Sequence, residues 1–224
     1  MERSYRNIGY ILLSFVPIFV AGFWIPYFAQ IPHFDTSITA AVHAHAVLLF
    51  GWLGLLVVQP LLIRRGAFTI HRVLGKLSYV LMPLVVLSAL AMIWKEYHEK
   101  LSEGASAAIA RDAEFLFVTQ LLLLGTLYCF SIAYVWKHKI GAHMRCMICI
   151  ALVLLPAGLA RVLGYWFYVR QAASQTVCLS VIDASLIGLI IYDKSRKANP
   201  WLYAMTLAAY LLIEAVWFGL GRPI

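Results

Sequence analysis

Ala40-Ala-Val-His43-Ala-His45-Ala-Val-Leu-Leu-Phe50-Gly51-Trp52-Leu-Gly54-Leu-Leu-Val-Val-Gln59-Pro60-Leu-Leu-Ile63 runs for 24 residues without an Asp, Glu, Lys or Arg and stops at Arg64-Arg65. About 20 apolar residues in a helix cross the hydrocarbon core of a bilayer. The run therefore reads as a transmembrane helix, the core of an apolar stretch spanning roughly 36–63. Six more stretches follow the same rule, at roughly 7–30, 73–95, 113–136, 146–170, 176–193 and 200–220, each bounded by charge, proline or polar clusters. The 224 residues are 63% hydrophobic and 12% charged, with mean hydropathy +0.84. A soluble domain would carry about 25% charge. The expectation is an all-α integral membrane bundle of seven transmembrane helices, forming a single transmembrane domain over residues 1–224 with no room for an appended soluble one.

The net charge of +8 comes from short clusters between apolar stretches, which is how orientation signals are distributed, and a nucleic-acid partner is excluded on that ground. In a seven-span arrangement one side collects 12 of the 18 Lys and Arg, the other collects 5, and Arg161 lies inside a helix. The amino terminus is then cytoplasmic and the carboxyl terminus outside. The basic start resembles a signal peptide, but its apolar run is too long and no small-residue cleavage site closes it, so it reads as a retained helix. The loop at about 96–112, with Glu96, Glu99, Glu103 and Asp112, reads as a solvated connector, with a short surface helix at Ala105 to Ala110. The sixth stretch is short, with Tyr192 as an interfacial anchor. Trp24, Tyr27, Trp94, Trp136, Trp166, Tyr168 and Trp201 fall mostly at helix ends, as aromatic belts do.

Laying the segment from His71 on that from His143 matches Arg72 to Arg145, Leu81 to Leu154 and Pro83 to Pro156 at a spacing of 73. This pattern suggests a duplicated two-helix unit, segments two and three corresponding to four and five. Both prolines would free carbonyls near mid-membrane.

Polar residues inside the spans carry the functional argument. His43, His45, Gln120, Arg161, Asp183 and Glu214 come from five helices and fall at similar depth in the outer third of the bilayer. An ionisable group at the bilayer centre costs on the order of 3 kcal/mol, so such groups turn inward and pair. Arg161 pairing with Asp183 or Glu214 would only lock helices together. A shared cavity would instead hold a metal, a haem, a proton or a small substrate. His43 and His45, two apart, point about 200° from each other on a helix and cannot chelate one ion together. Gly51 and Gly54 flank Trp52 and leave a face open to a close helix or a flat ring.

At the cytoplasmic interface His71, His138 and His143 stand with Arg72, Lys76 and Arg145. If the repeat is real, His71 and His143 would meet as the two axial ligands of a haem b, flanked by Arg72 and Arg145; the alternative is contact with phosphate headgroups. His143, Cys146, Met147 and Cys149 offer soft ligands for copper or zinc, although small thiols in a helix contact explain them more simply. No lysine in the last helix can carry a retinal, and no phosphate loop, Cys-x-x-Cys-His or nucleophile elbow occurs.

The run His43-Ala-His45-Ala-Val-Leu-Leu-Phe-Gly51-Trp52, then Gln59-Pro60, His71-Arg72-Val-Leu-Gly75-Lys76 and His143-Met-Arg145-Cys-Met147 resembles the DUF2306-like polytopic membrane proteins of bacteria over roughly 36–165. The second element reads His-Met-Arg where that group has consecutive His-Arg. The resemblance implies a bacterial inner-membrane location and no established activity. From the histidines near both faces of the bundle, the leading expectation is a His-ligated metal (Zn, Cu or Fe) or haem site in redox or electron transfer. It would use His43 or His45 with Asp183 and Glu214 at the outer level, and His71 and His143 at the inner. The implied class is a membrane oxidoreductase with a membrane redox partner. The rival is a transporter or receptor for a small polar or anionic solute, with Arg161 binding the anion and Asp183 or Glu214 carrying protons. A structural subunit of a membrane complex is the third.

Overall fold

The computed structural model describes residues 5–35 and 38–219, with the side chains of 108–113 excepted. Its elements are α1 (Ile8–Leu13), α2 (Phe15–Trp24), a 3-10 turn at Phe28–Gln30, α3 (Ala40–Arg64), α4 (Phe68–Ser102), α5 (Ala107–Trp136), α6 (Ile140–Phe167), α7 (Gln171–Ser195) and α8 (Trp201–Gly219). No strand occurs among the described residues. Six helices, α3 to α8, are long and apolar enough to cross a membrane, and the chain is an integral membrane helix bundle.

The ends of the elements depart from the sequence reading for local reasons. The stretch at 7–30 is not one helix but two, broken at Ser14, and Pro17 explains the break. Its ring nitrogen cannot donate to the Leu13 carbonyl, so the ladder fails there. Pro60, Pro83 and Pro156 lie inside α3, α4 and α6, which continue through them. The connector at 96–112 is also corrected. α4 runs on to Ser102 and α5 begins at Ala107, leaving only 103–106 between them, with Gly104 at φ +93 making the turn. Lys95 pairs with Glu99 at 2.6 Å and Lys100 with Glu96 at 2.8 Å, each at the i,i+4 spacing that supports a helix out into water. α7 is likewise longer than 176–193, starting at Gln171. Its hydroxyls bond back into the helix, Thr176 to the Ala172 carbonyl, Ser180 to Thr176 and Ser185 to Val181, so polarity does not end it.

The chain falls into two compact units. The first comprises Met1–Arg6, Ser14–Ile31 and Thr126–Ile224. Its centre is α6, against which α2, α7 and α8 pack. Cys146, Cys149 and Ile150 have no exposed surface. α2 meets α6 backbone to backbone: a Cβ on Gly22 would collide with the Gly158 carbonyl oxygen, and one on Gly158 would come within 3.2 Å of the Phe19 Cα. Trp166 Nε1 donates to the Ala21 carbonyl at 2.9 Å across the same contact.

The second unit comprises Asn7–Leu13 and Pro32–Gly125. α3 packs on α4, and α1 on α3. Gly9 admits Leu61, Arg64 donates to the Asn7 side chain, and the Arg64 guanidinium lies 4.9 Å from the Tyr10 ring centre. The Gly51 face lies against Leu81 of α4, and Trp52 is buried. Val73, Leu77, Val80, Leu84 and Leu87 of α4 are exposed, as lipid-facing side chains should be, and Trp24, Trp94, Trp136, Trp166, Tyr168 and Trp201 are exposed as well.

Candidate functional site

Asp183 lies in the middle of α7 and Glu214 in the last two turns of α8, two helices of the first unit that pack together. Their carboxyls come close enough to interact directly. Two carboxylates offer only acceptors, so a hydrogen bond between them would need a proton. Each acid has one buried oxygen, Asp183 Oδ1 and Glu214 Oε1, with no hydrogen-bond partner among the described residues. One turn before Glu214 on the same face of α8 stands Tyr210, fully buried, whose hydroxyl also lacks a partner among them. Buried polar atoms are seldom left this way, and three together mark a place where a proton, a water or a solute group completes the set. Thr206, one turn earlier again, donates to the Leu202 carbonyl at 2.8 Å and lies 3.4 Å from the Cys149 sulfur.

At the opposite end of α7 a second polar cluster is fully satisfied. Arg145, in the second turn of α6, donates through Nε to Asp193 Oδ2 at 2.6 Å and through a terminal nitrogen to Oδ1 at 3.2 Å, a two-pronged ion pair. Another nitrogen donates to the Gly141 carbonyl at 3.1 Å. The Tyr5 hydroxyl donates to Asp193 Oδ1 at 2.6 Å, and Tyr203 donates to Tyr5 at 3.2 Å. The Arg145 guanidinium lies 5.5 Å from the Tyr5 ring centre. Asp193 is 1% exposed and Arg145 5%, so water is excluded from the pair. Burial and the hydrogen bond to Asp193 push the Tyr5 phenol above its ordinary range. This buried ion pair lies about 15 Å along α7 from Asp183.

The remaining predicted site residues have separate partners. Arg161 donates to the Ala157 carbonyl at 2.7 Å and lies over the Phe23 ring at 4.6 Å. His143 Nδ1 is 2.7 Å from the Ser131 hydroxyl in the first unit. In the second unit the Gln59 amide turns toward the His71 ring, accepting from the Gly75 N–H at 3.0 Å when its oxygen faces that way. Each interfacial histidine is thus engaged by a polar side chain 12 residues earlier, on the preceding helix. Arg72 is exposed and reaches back to the Phe68 carbonyl. His45 Nδ1 is 3.0 Å from the Ser88 hydroxyl of α4, and His43 meets Phe34 edge-on at 4.6 Å, so the two rings do have different neighbours. Gln120 is buried, its amide nitrogen lacking a partner among the described residues. Among those residues no three of His, Cys, Asp or Glu gather into a group that could hold a metal ion, and Cys146 and Cys149 are buried thiols.

No family model, curated protein or solved structure matches the chain. The site is therefore read from its own chemistry. Sequence reasoning missed Tyr5, Asp193, Tyr203 and Tyr210. Asp193 had a signal, being the sole acid in the basic run to Lys197, where a carboxylate needs a reason to be. The tyrosines had none, because a tyrosine near a helix end is usually interfacial.

Proposed function

We propose that this chain is a seven-span inner-membrane transporter that couples movement of a small polar or anionic solute to protons. Asp183 and Glu214 carry the exchangeable proton, Tyr210 stands beside them as a relay hydroxyl, and Arg161 of the same unit holds the anionic group. The observation that carries this reading is the close approach of two carboxyls on neighbouring membrane helices, each with a buried oxygen that has no hydrogen-bond partner among the described residues. A pair of this kind trades one proton at low cost in charge, since adding or removing it changes the site by a single unit, and intramembrane carboxyls mark proton paths more often than they serve as struts. Ile8–Trp24, 17 residues long and about 25 Å if continuous, supplies the seventh span. The bacterial location follows the DUF2306-like resemblance.

The test is transport in liposomes holding a pH-sensitive dye, challenged with a panel of small organic anions. Solute-dependent proton entry is expected for the wild-type protein. Its loss is expected in Glu214→Gln and Asp183→Asn, and Arg161→Ala should abolish the dependence on solute. Proton entry untouched by either carboxyl substitution overturns the reading. The redox reading, with haem b between His71 and His143, has its own test: a Soret band in the purified protein would replace the transport reading.

A further inference from the structure

Where α4 leaves the membrane, its last apolar turns and the start of the α5 span flank an open groove of about 540 Å³, lined by Leu90, Ile93, Trp94, Tyr97, Glu114 and Val118. All of these belong to the second unit, and none takes part in the carboxyl pair described above. The size is that of a small-molecule site, which runs from about 300 to 1,000 Å³. Its lining is apolar with one exception. Glu114 is 4% exposed, one oxygen accepts from Lys100, and the other, Oε2, is buried with no hydrogen-bond donor among the described residues.

We propose that this groove binds a phospholipid whose headgroup carries a primary amine, the acyl chain lying along Leu90, Ile93 and Val118 and the ammonium donating to Glu114 Oε2. Charge favours a cation. Lys95 and Lys100 give +2 against −3 from Glu96, Glu99 and Glu114, leaving −1 over the five groups that pair here. Lys100 serves Glu96 and Glu114 at once, and Glu114 Oε2 has no donor among the described residues. Trp94 and Tyr97 set aromatic rings at the mouth, and His98 braces both, 4.4 Å from the Trp94 ring and 5.4 Å from that of Tyr97. Aromatic faces attract ammonium groups. Chemistry also selects among headgroups. A quaternary choline has no N–H to give Oε2, a glycerol headgroup has hydroxyls but no positive charge, and a primary ammonium has both charge and donors.

Native mass spectrometry of the purified full chain, offered equal amounts of phosphatidylethanolamine, phosphatidylcholine and phosphatidylglycerol, tests this. Losing one charge-assisted hydrogen bond to a buried carboxylate lowers binding about tenfold or more, so ethanolamine lipid is expected to be retained about tenfold over choline lipid. Glu114→Gln, which keeps the shape and removes the charge, should erase the preference. Ala91→Trp fills the groove without touching the Lys100–Glu114 pair and should lower retention of every lipid at this site. Equal retention of ethanolamine and choline lipids by the wild-type protein, preference for the glycerol lipid, or an unchanged preference in Glu114→Gln would each overturn the proposal. The wild-type comparison decides it even where a variant fails to fold.

Discussion

Tyr203, Tyr5 and Arg145 form a network of donors that ends on the Asp193 carboxylate, and its energetics follow from how little water reaches it. Removing one hydrogen bond to a charged, buried group costs about 1.5–3 kcal/mol. Tyr5→Phe is expected to lower the melting temperature in detergent accordingly, with transport kept if the cluster is structural. The raised Tyr5 phenol predicts a pH effect of definite sign. A phenol held protonated in the fold contributes stability below its unfolded pKa of about 10 and loses it as pH rises through the higher folded value. Wild-type protein should therefore lose stability above about pH 10 more steeply than Tyr5→Phe. Arg145→Met leaves Asp193 buried without its counter-charge and should cost about 3–5 kcal/mol, whereas Arg145→Met with Asp193→Leu should cost less than Arg145→Met alone. Thermal unfolding of the three proteins measures the difference. Sequence placed Arg145 at a headgroup or a haem because nothing in one chain of letters says that residues 145 and 193 share a cavity.

The elements were more legible than their contacts. Apolar runs announce spans because each peptide group must be satisfied inside its own helix once water is gone. Helix ends were not legible, because charged i,i+4 pairs carry α4 beyond its apolar part and hydroxyls bonded to i−4 carbonyls let α7 begin in polar sequence. Glycines show the same divide. Gly22 and Gly54 look alike in sequence, but Gly22 faces a carbonyl oxygen on α6 while nothing lies within 4 Å of a Cβ on Gly54. Gly22→Ala must push two backbones apart and should cost about 1–3 kcal/mol, the usual range for an overpacked core. Gly54→Ala meets open space and should be neutral or stabilising by up to about 1 kcal/mol, from helix propensity. Melting temperatures of the pair measured side by side check the contrast, and equal effects would mean that the α2–α6 contact is not the tight one.

For the whole molecule, the sequence gives an order of residues along each span but not the rotation of the span. That is why Asp183 and Glu214 were placed in one layer while their direct approach was not foreseen, and why Arg161 was offered as their partner. A membrane chain with even or odd numbers of spans also differs in a way that no side-chain contact reveals: the two ends lie on one face or on opposite faces. The six long helices fix every turn from residue 66 onward relative to the next, and only Ile8–Trp24 decides the parity. At 17 residues it is at the short end of what can cross, about 17–25. Its contacts favour crossing: Gly22 admits α6 in one unit, and Gly9 admits Leu61 of α3 in the other, so both parts lie against spanning helices rather than along a surface. A single cysteine placed at Arg6 or Asp35, in a chain whose own cysteines are replaced by serine or alanine, reports the answer through a membrane-impermeant maleimide in intact cells. Labelling at Asp35 and protection at Arg6 is expected, with the basic end inside as the distribution of Lys and Arg requires. Equal labelling of both would leave six spans, put both ends of the chain on one face, and turn Ile8–Trp24 into a helix that returns to the side it came from.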